Sequence, residues 1–411
     1  MLRALIRNQC CVLCITMSIF VHALSTLIPE ISFLVSVKYF ICMGARITSY
    51  AMLRDIEANA GSLKFDAFGF IYSHVMALAP NSLSMKKAKS KTYLKVQTMI
   101  KLYGEELRHI REGTYAFPSE LRFSMWRTLD FIYLSLEAFN EFYLMDLRRQ
   151  GRGKKASDAL SQKGAKTRFS SEIEYPDYYL QNFHHQSDGW LSSRSARRWE
   201  FQVEVRFIGS AGTMRRRALP HIKTFMKSRR EEETAVLDLA AGTGQFLDFI
   251  RENHPRVQCT AVDLSAHYLE YLHAFHTPIH KKGSLRVVQA NAENLPYDDH
   301  SFDLVTNVYL FHELPESARV NAAKEIARVL KPGGQFIFVD SAQLNDANHV
   351  SRSIGQALNK SLTEFSVNHH EPYHRHYISQ SIVELFDRQT DLTHMTTELA
   401  FLSKVMVFFK K

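Results

Sequence analysis

Cysteine is scarce and badly placed for stapling a fold. The 411 residues hold five, with Cys10, Cys11, Cys14 and Cys42 near the start and Cys259 alone far downstream. That distribution excludes a secreted disulfide scaffold and points to a reducing, intracellular setting. Cys11 and Cys14 form a C-x-x-C pair, but no second pair follows at ligand spacing, so they read as apolar side chains rather than a zinc or redox site. Glycine (17) and proline (11) are also sparse, which excludes collagenous and low-complexity chains. A hydrophobic fraction of 45% and a charged fraction of 23% exclude a disordered or wholly membrane-embedded chain. The length is enough for two or three domains with a sizeable core.

Charge of one sign is missing from no region, yet it is unevenly spread. Residues 1–234 carry 35 Lys and Arg against 22 Asp and Glu, whereas residues 235–411 carry 16 against 20. The basic half reads either as solvated helix faces and linkers or as a surface for RNA, anionic lipid or an acidic protein. The long uncharged run is confined to the start. Arg3 and Arg7 precede Cys10–Ile28, which has no Lys, Arg, Asp or Glu. Residues 1–44 therefore read as a membrane anchor or a targeting segment, for example to a mitochondrion. A buried helix, or an extension lost from the mature protein with Met43 as an alternative start, remain the other readings.

Residues 45–147 read as a helical region. Helical spacing recurs over Ser90–Glu112, and again from a start at Pro118–Ser119 through Leu121, Met125, Leu129, Ile132, Leu136, Phe139 and Tyr143. Residues 148–170 are glycine-containing and strongly basic, a linker without the interleaved aromatics of an RNA-binding arm. Residues 171–230 hold an aromatic cluster, YPDYYLQNFHHQSDGWL at 175–191, then a helix over Ser195–Phe207 and the triplet Arg215–Arg217. The cluster reads as a lid over the following domain or as an ordered connector. As a lid it offers Tyr179, Phe183, His184 and Trp190 to line an acceptor gap.

The chemistry begins at Ala235. AVLDLA (235–240) is a strand pattern, followed by the turn Ala241-Gly242-Thr243-Gly244 and a helical pattern over Phe246–Asn253. Strand, glycine turn and helix bring a ligand against backbone N–H groups at a helix start. A second strand, Val257–Val262, ends in Asp263, whose carboxylate suits two ribose hydroxyls. A third, Leu285–Val288, leads to Asn291, which can read an adenine edge. A fourth, Phe302–Val308, leads to His312. A helix over Pro315–Leu330 stops at Lys331-Pro332-Gly333-Gly334, and Gln335–Asp340 is a fifth strand. This alternation predicts a doubly wound α/β sheet with its ligands at the carboxyl ends of the strands. The turn does not complete G-x-G-x-x-G, because Leu247 occupies the last glycine position.

VLDLAAGTGQF (236–246), AVDLS (261–265), NAENLPYDDHSFDLV (291–305), FHELP (311–315) and RVLKPGGQFIFVD (328–340) follow in order. Residues 231–411 thereby resemble class I S-adenosylmethionine-dependent methyltransferases, in the ubiquinone/menaquinone-biosynthesis-like (type 11/25) branch. The resemblance implies a Rossmann-like seven-stranded sheet closed by an antiparallel pair, for which Met395–Ala400 and Ser403–Phe409 are the candidates. It implies S-adenosylmethionine as cofactor, with Asp238, Ala240, Gly242 and Gly244 around the methionine moiety and Asp263 on the ribose. Asn291 and Ala292 would lie at the adenine, and Leu264 and Asn307 complete the cofactor set. Ala240 stands where a further glycine is frequent, and Asn291 where this branch usually has Asp.

Methyl transfer from a sulfonium asks mainly for alignment and dryness, with a base only where the acceptor loses a proton. His312 is the first candidate for that base and His184 the second. His369, His370, His374 and His376 share the stretch NHHEPYHRHY, whose spacing matches no common zinc pattern, so no metal is expected. The stretch reads instead as a closing loop with Tyr373 and Tyr377 as acceptor walls. The leading function is methyl transfer to a small or lipid-like acceptor. An RNA or protein methyltransferase using the basic half, and a binding module without turnover, are the alternatives.

Overall fold

The structure, a computed structural model, describes residues 91–118, 169, 173–181, 183, 186, 188–207, 209–276, 283–368 and 371–411. The leader at 1–44, the helix expected from Ser119 and the basic linker at 148–168 lie outside the described residues. So do His184, His369 and His370. Among the described residues no helix is long and apolar enough to cross a membrane.

Helices α1 (Lys91–Arg111), α2 (Ser193–Arg206), α3 (Ala211–Arg216) and α4 (Leu219–Met226) precede the sheet. The alternating part runs β1 (Ala235–Leu239), α5 (Gln245–Asn253), β2 (Gln258–Asp263), α6 (Ala266–Phe275), β3 (Leu285–Gln289), β4 (Phe302–Val308), α7 (Glu316–Val329) and β5 (Leu330–Ser341). Helices α8 (Arg352–Asn368), α9 (His374–Ser379) and α10 (Ile382–Gln389) follow, then β6 (Leu392–Ala400) and β7 (Ser403–Lys410). The seven strands are ordered β3-β2-β1-β4-β5-β7-β6. The pairs β1/β2, β1/β4, β2/β3 and β4/β5 are parallel, while β7 pairs antiparallel with both β5 and β6. This is the doubly wound sheet with a closing antiparallel pair that the sequence implied. The change of direction between β1→β2→β3 and β1→β4 opens the crevice at the carboxyl ends of β1 and β4.

Strand residues alternate between two cores, as a sheet covered on both faces requires. Leu237, Val305, Phe336 and Phe338 pack with Ala322 and Ile326 of α7 and Phe386 of α10. Val236, Leu304, Ile337 and Val339 pack on the other side with Ile222, Ile250, Leu269 and Leu272.

Two local expectations change. Lys331-Pro332-Gly333-Gly334 does not separate helix from strand. β5 already begins at Leu330, and the glycines take up an irregularity between the pairs Phe302↔Leu330 and Leu304↔Gln335. The histidine stretch is not wholly a loop, since α9 starts at His374. The triplet Arg215–Arg217 forms no basic surface, being buried with an ion pair on each member. Arg215 pairs with Glu200 at 3.0 Å, Arg216 with Glu106 at 2.6 Å and Arg217 with Glu105 at 3.1 Å. Those arginines lock α1, α2 and α3 together, because a buried cation persists only with its partner.

Candidate active site

The turn after β1 is built by its own backbone. Ala241 N–H donates to the Val262 carbonyl (2.9 Å), and Gly244 N–H to the Ala241 carbonyl (2.9 Å). Gly242 sits at φ 55° and Gly244 at φ 92°, both in the left-handed region. Ala240 is also left-handed at φ 59°, as is Tyr309 at φ 59° just past β4. Two non-glycine residues in that region flank the crevice, where local strain tends to collect at functional sites. Ala240 in place of glycine therefore costs the turn more than a simple exchange of small residues.

Asp263 ties this turn to the next one. Its Oδ2 accepts from Gly242 N–H and its Oδ1 from Ser265 N–H, each at 2.8 Å. Burial raises its carboxyl to about 6 although these amides oppose the rise. Asp238 lies deeper. Its Oδ1 accepts from Thr306 Oγ1 at 2.7 Å, while Oδ2 is buried without a hydrogen-bond partner among the described residues. Burial lifts its carboxyl to about 7.

A cavity open to solvent is lined by Asp238, Ala240, Gly242, Asp263, Leu264, Asn291 and Ala292. These seven residues of the expected cofactor set thus share one wall. Asn291 is already partly engaged, because its Oδ1 accepts from Glu293 N–H at 3.0 Å and only its second lone pair remains. Two members of the set do not line the cavity. Gly244 is needed for packing, since a Cβ there would come within 2.7 Å of Leu272. Asn307 is a strut whose Nδ2 donates to the Leu239 carbonyl at 2.7 Å.

The aromatic segment faces this same cavity. Tyr178, Tyr179 and Trp190 line it, so Tyr179 and Trp190 belong to the side of the glycine turn and not to an acceptor gap opposite His312. Phe183 is fully buried and stacks on Trp190 with ring centroids 4.2 Å apart. Tyr178 Oη donates to Glu293 Oε1 at 2.6 Å, and Ser265 Oγ donates to the Trp190 carbonyl at 2.5 Å. These two bonds join the described part of the segment to Glu293 and Ser265. Tyr373 meets it through Gln181 at 2.7 Å, and Tyr377 is fully buried with its hydroxyl on the Ser341 carbonyl at 2.7 Å, so neither lines a cavity with His312.

His312 borders a second cavity, with Trp199, Phe207, Tyr309, Glu313, Phe365 and Glu371 among its walls. Trp199, Arg215, Tyr309 and Glu313 line both cavities, so the two adjoin at these side chains. The turn Phe311–Glu313 hangs from Asp340 at the end of β5. Asp340 Oδ2 accepts from Phe311 N–H at 2.8 Å and Oδ1 accepts from His312 Nδ1 at 2.6 Å. His312 Nε2 lies 3.2 Å from Glu313 Oε1. Burial works against charging the ring, but the Asp340 and Glu313 carboxylates outweigh it and hold its pKa well above 6.5. The ring carries its proton at neutral pH and is a donor there, not a ready base. Neighbouring His374 is driven the other way by burial, to about 4, and is neutral.

Sequence reasoning missed Trp199, Glu200, Arg215, Glu313 and Glu371. Glu200 accepts from Arg215 Nη1 at 3.0 Å and from Thr243 Oγ1 of the glycine turn, fastening α2 and α3 to the turn. Glu313 was legible as half of FHELP, but the histidine drew the reading.

The cavity fits S-adenosylmethionine on its own geometry. Asp263 offers two oxygens at the end of β2, and the bare Oδ2 of Asp238 offers a negative end to a cation. A cation arriving near Asp238 should lower its pKa and expel its proton. At pH 6.5 binding should release roughly three quarters of a proton, given a carboxyl near 7. Cofactor affinity should therefore rise with pH through that range. In the free protein the sign is opposite: folding takes up this proton between 3.8 and about 7, so stability falls as pH rises across that window. Calorimetry in two buffers of different ionisation heat measures the release, and Asp238→Asn should abolish it.

Residues 236–334 match the family described as "Methyltransferase domain". The chain is similar to the uncharacterized methyltransferase YcgJ of Bacillus subtilis, 33% identical over 29% of this chain and 48% of that protein. It is similar to the ubiquinone/menaquinone biosynthesis C-methyltransferase UbiE of Bartonella tribocorum, 30% identical over 40% of this chain and 63% of that protein. It thus spans 48% to 63% of the length of these relatives. A solved methyltransferase from Aquifex aeolicus covers 50% of this chain and 96% of its own, at 16% identity and a TM-score of 0.36. The family match and the sequence relatives, with the glycine turn and Asp263 inside the matched stretch, identify residues 236–334 as part of a class I methyltransferase domain of the type 11/25 branch, whose cofactor is S-adenosylmethionine.

Proposed function

We propose that the protein transfers the methyl group of S-adenosylmethionine to a small or lipid-like acceptor seated in the cavity beside His312. The observation that carries this reading is the shared wall of Trp199, Arg215, Tyr309 and Glu313, which puts an apolar chamber directly against the cofactor cavity. The cofactor, when bound, supplies a methyl group on a sulfonium, and transfer leaves a neutral thioether. Asp263 and Asp238 hold the donor's polar parts. The aromatic side chains of Trp199, Tyr309 and Phe365 exclude water from the line of transfer. Glu313, fixed by the His312–Asp340 pair, is the polar group that meets an acceptor at the junction.

A lipid-like acceptor is favoured over a polar one by a third cavity. Leu102, Ile354, Ala357, Leu399 and Phe401 line it, with Thr98, Lys101 and Glu105 along one side from α1, and it shares Ser361 and Leu402 with the chamber beside His312. An acceptor head at Glu313 would extend its apolar tail past Leu402 between α1 and α8. The fatty-acid O-methyltransferase of Mycolicibacterium smegmatis, 28% identical over 33% of this chain and 48% of that protein, acts on an acceptor of this kind by its name. Incubation with methyl-labelled cofactor and cell extract should place label in the organic fraction. Ala357→Trp, which fills the third cavity, should cut that label at least tenfold while leaving binding of S-adenosylhomocysteine unchanged. Label confined to RNA or protein would sink the reading.

A further inference from the structure

The wall between cofactor and acceptor carries more polar chemistry than an apolar substrate needs. His312, Glu313 and Glu371 are 7%, 7% and 3% exposed, and one ligand-type atom from each lies within 4.8 Å of the others. All three line the acceptor cavity, and Glu313 also lines the cofactor cavity. They come from two places in the chain: His312 and Glu313 from the turn after β4, and Glu371 from the residues before α9. The histidine is oriented from behind. Its Nδ1 is held by the fully buried Asp340 at 2.6 Å, which leaves Nε2 as the atom presented to the carboxylates. Asp340 is itself fixed by the amides of Phe311 and Ser341, at 2.8 and 2.6 Å. A carboxylate behind a histidine is the arrangement that sets the tautomer and ring plane of a metal ligand.

We propose that His312 Nε2, Glu313 and Glu371 bind a divalent transition-metal cation at the acceptor end of the cofactor cavity, the cation displacing the Nε2 proton to solvent. One imidazole and two carboxylates make a mixed nitrogen and oxygen set, which suits Mn²⁺, Fe²⁺, Co²⁺ or Zn²⁺ better than the all-oxygen preference of Ca²⁺ or Mg²⁺. Three protein ligands leave positions open, and the cavity beside Trp199 and Phe365 is where an acceptor atom would take one. The acceptor class this selects is an oxygen nucleophile, a hydroxyl or carboxyl on an apolar body, because a cation there orients the oxygen and favours its deprotonated form. Of the histidines in the NHHEPYHRHY stretch, the two that are described have other partners. His374 is turned to Ser341 Oγ at 3.1 Å, and His376 to Arg319 at 3.0 Å.

This acceptor class rests on the methyl-transfer reading, whereas the cation site is tested without any acceptor. The full-length protein, stripped with a chelator, is titrated with Mn²⁺ by electron paramagnetic resonance and with Co²⁺ by visible absorption. Saturation at one ion per chain is expected. Glu371→Gln and Glu313→Gln should each weaken it at least tenfold, and Asp340→Asn by 10- to 100-fold through His312. Binding of S-adenosylhomocysteine to the same samples reports whether the fold and cofactor cavity are intact. Absence of saturable uptake by protein that binds S-adenosylhomocysteine overturns the cation site, as does uptake that Glu371→Gln leaves unchanged. Metal uptake without any binding of S-adenosylhomocysteine upholds the site and overturns the methyl-transfer reading instead.

Discussion

Replacing Asp263 by Ala should weaken cofactor binding by two to four orders of magnitude. Each of its oxygens already accepts one backbone N–H, from Gly242 or Ser265 at 2.8 Å. A carboxylate has further lone pairs, and these are what the ribose hydroxyls would use. Hydrogen bonds to a charged acceptor are worth roughly 1.5–3 kcal/mol each, so losing two costs roughly 3–6 kcal/mol. The substitution also strips both turns of their shared anchor. Asp263→Asn should be little better, since an amide N–H₂ would confront one of the two backbone N–H groups. Calorimetry with S-adenosylhomocysteine and its 2′-deoxy analogue separates contact from collapse. In the unmodified protein the missing hydroxyl should weaken binding at least tenfold. In Asp263→Ala the two ligands should bind alike. A hydroxyl effect that survives the substitution would mean that Asp263 does not hold the ribose.

The strands and the glycine turn were legible because their physics is local. AVLDLA followed by Gly242 and Gly244 fixes a strand end and two left-handed positions within ten residues. The strand Phe302–Val308 was bounded correctly on both sides because apolar continuity and flanking polar turns agree there. Asp263 was legible because it ends a strand within one βα unit. Lys331-Pro332-Gly333-Gly334 misled because a β-bulge and a turn use the same residues, and only the partner strand decides between them.

The chamber beside His312 was hardly legible, for a different reason. Its walls come from α2, α3, the turn after β4, α8 and the β6–β7 turn, which are far apart in sequence. Trp199 and Glu200 sit in a helix whose pattern looks like an ordinary amphipathic one. Arg215 stands in a basic triplet that suggests solvent and is in fact buried against acids. Tyr178, Tyr179 and Trp190 of the aromatic segment line the cavity at the glycine turn, and composition cannot say which of two adjoining cavities a tyrosine faces. His312 was found for its type and position, whereas its protonation is set by Asp340, 28 residues downstream.

That coupling makes Asp340 the residue whose loss should damage the fold most. It is fully buried at the end of β5 and accepts from Phe311 N–H, His312 Nδ1 and Ser341 N–H. Phe311 above it is also fully buried and packs against Phe338 and Phe386, at centroid distances of 5.2 and 5.8 Å. Asp340→Ala would leave a buried imidazolium facing one carboxylate instead of two, and a buried amide with no acceptor. Breaking one side of such a pair costs roughly 3–5 kcal/mol, because the partner's desolvation is no longer compensated. A drop in Tm of about 3–6 °C is expected for a protein of this size. The cost belongs to the orphaned charge more than to the missing contact, so a second substitution should return part of it. Asp340→Ala combined with His312→Leu should be more stable than Asp340→Ala alone, because leucine fills the space of the ring without a charge to bury. Thermal unfolding of the unmodified protein, both single variants and the double variant tests this. If the two losses simply add, the ion pair is not what holds the Phe311–Glu313 turn against β5.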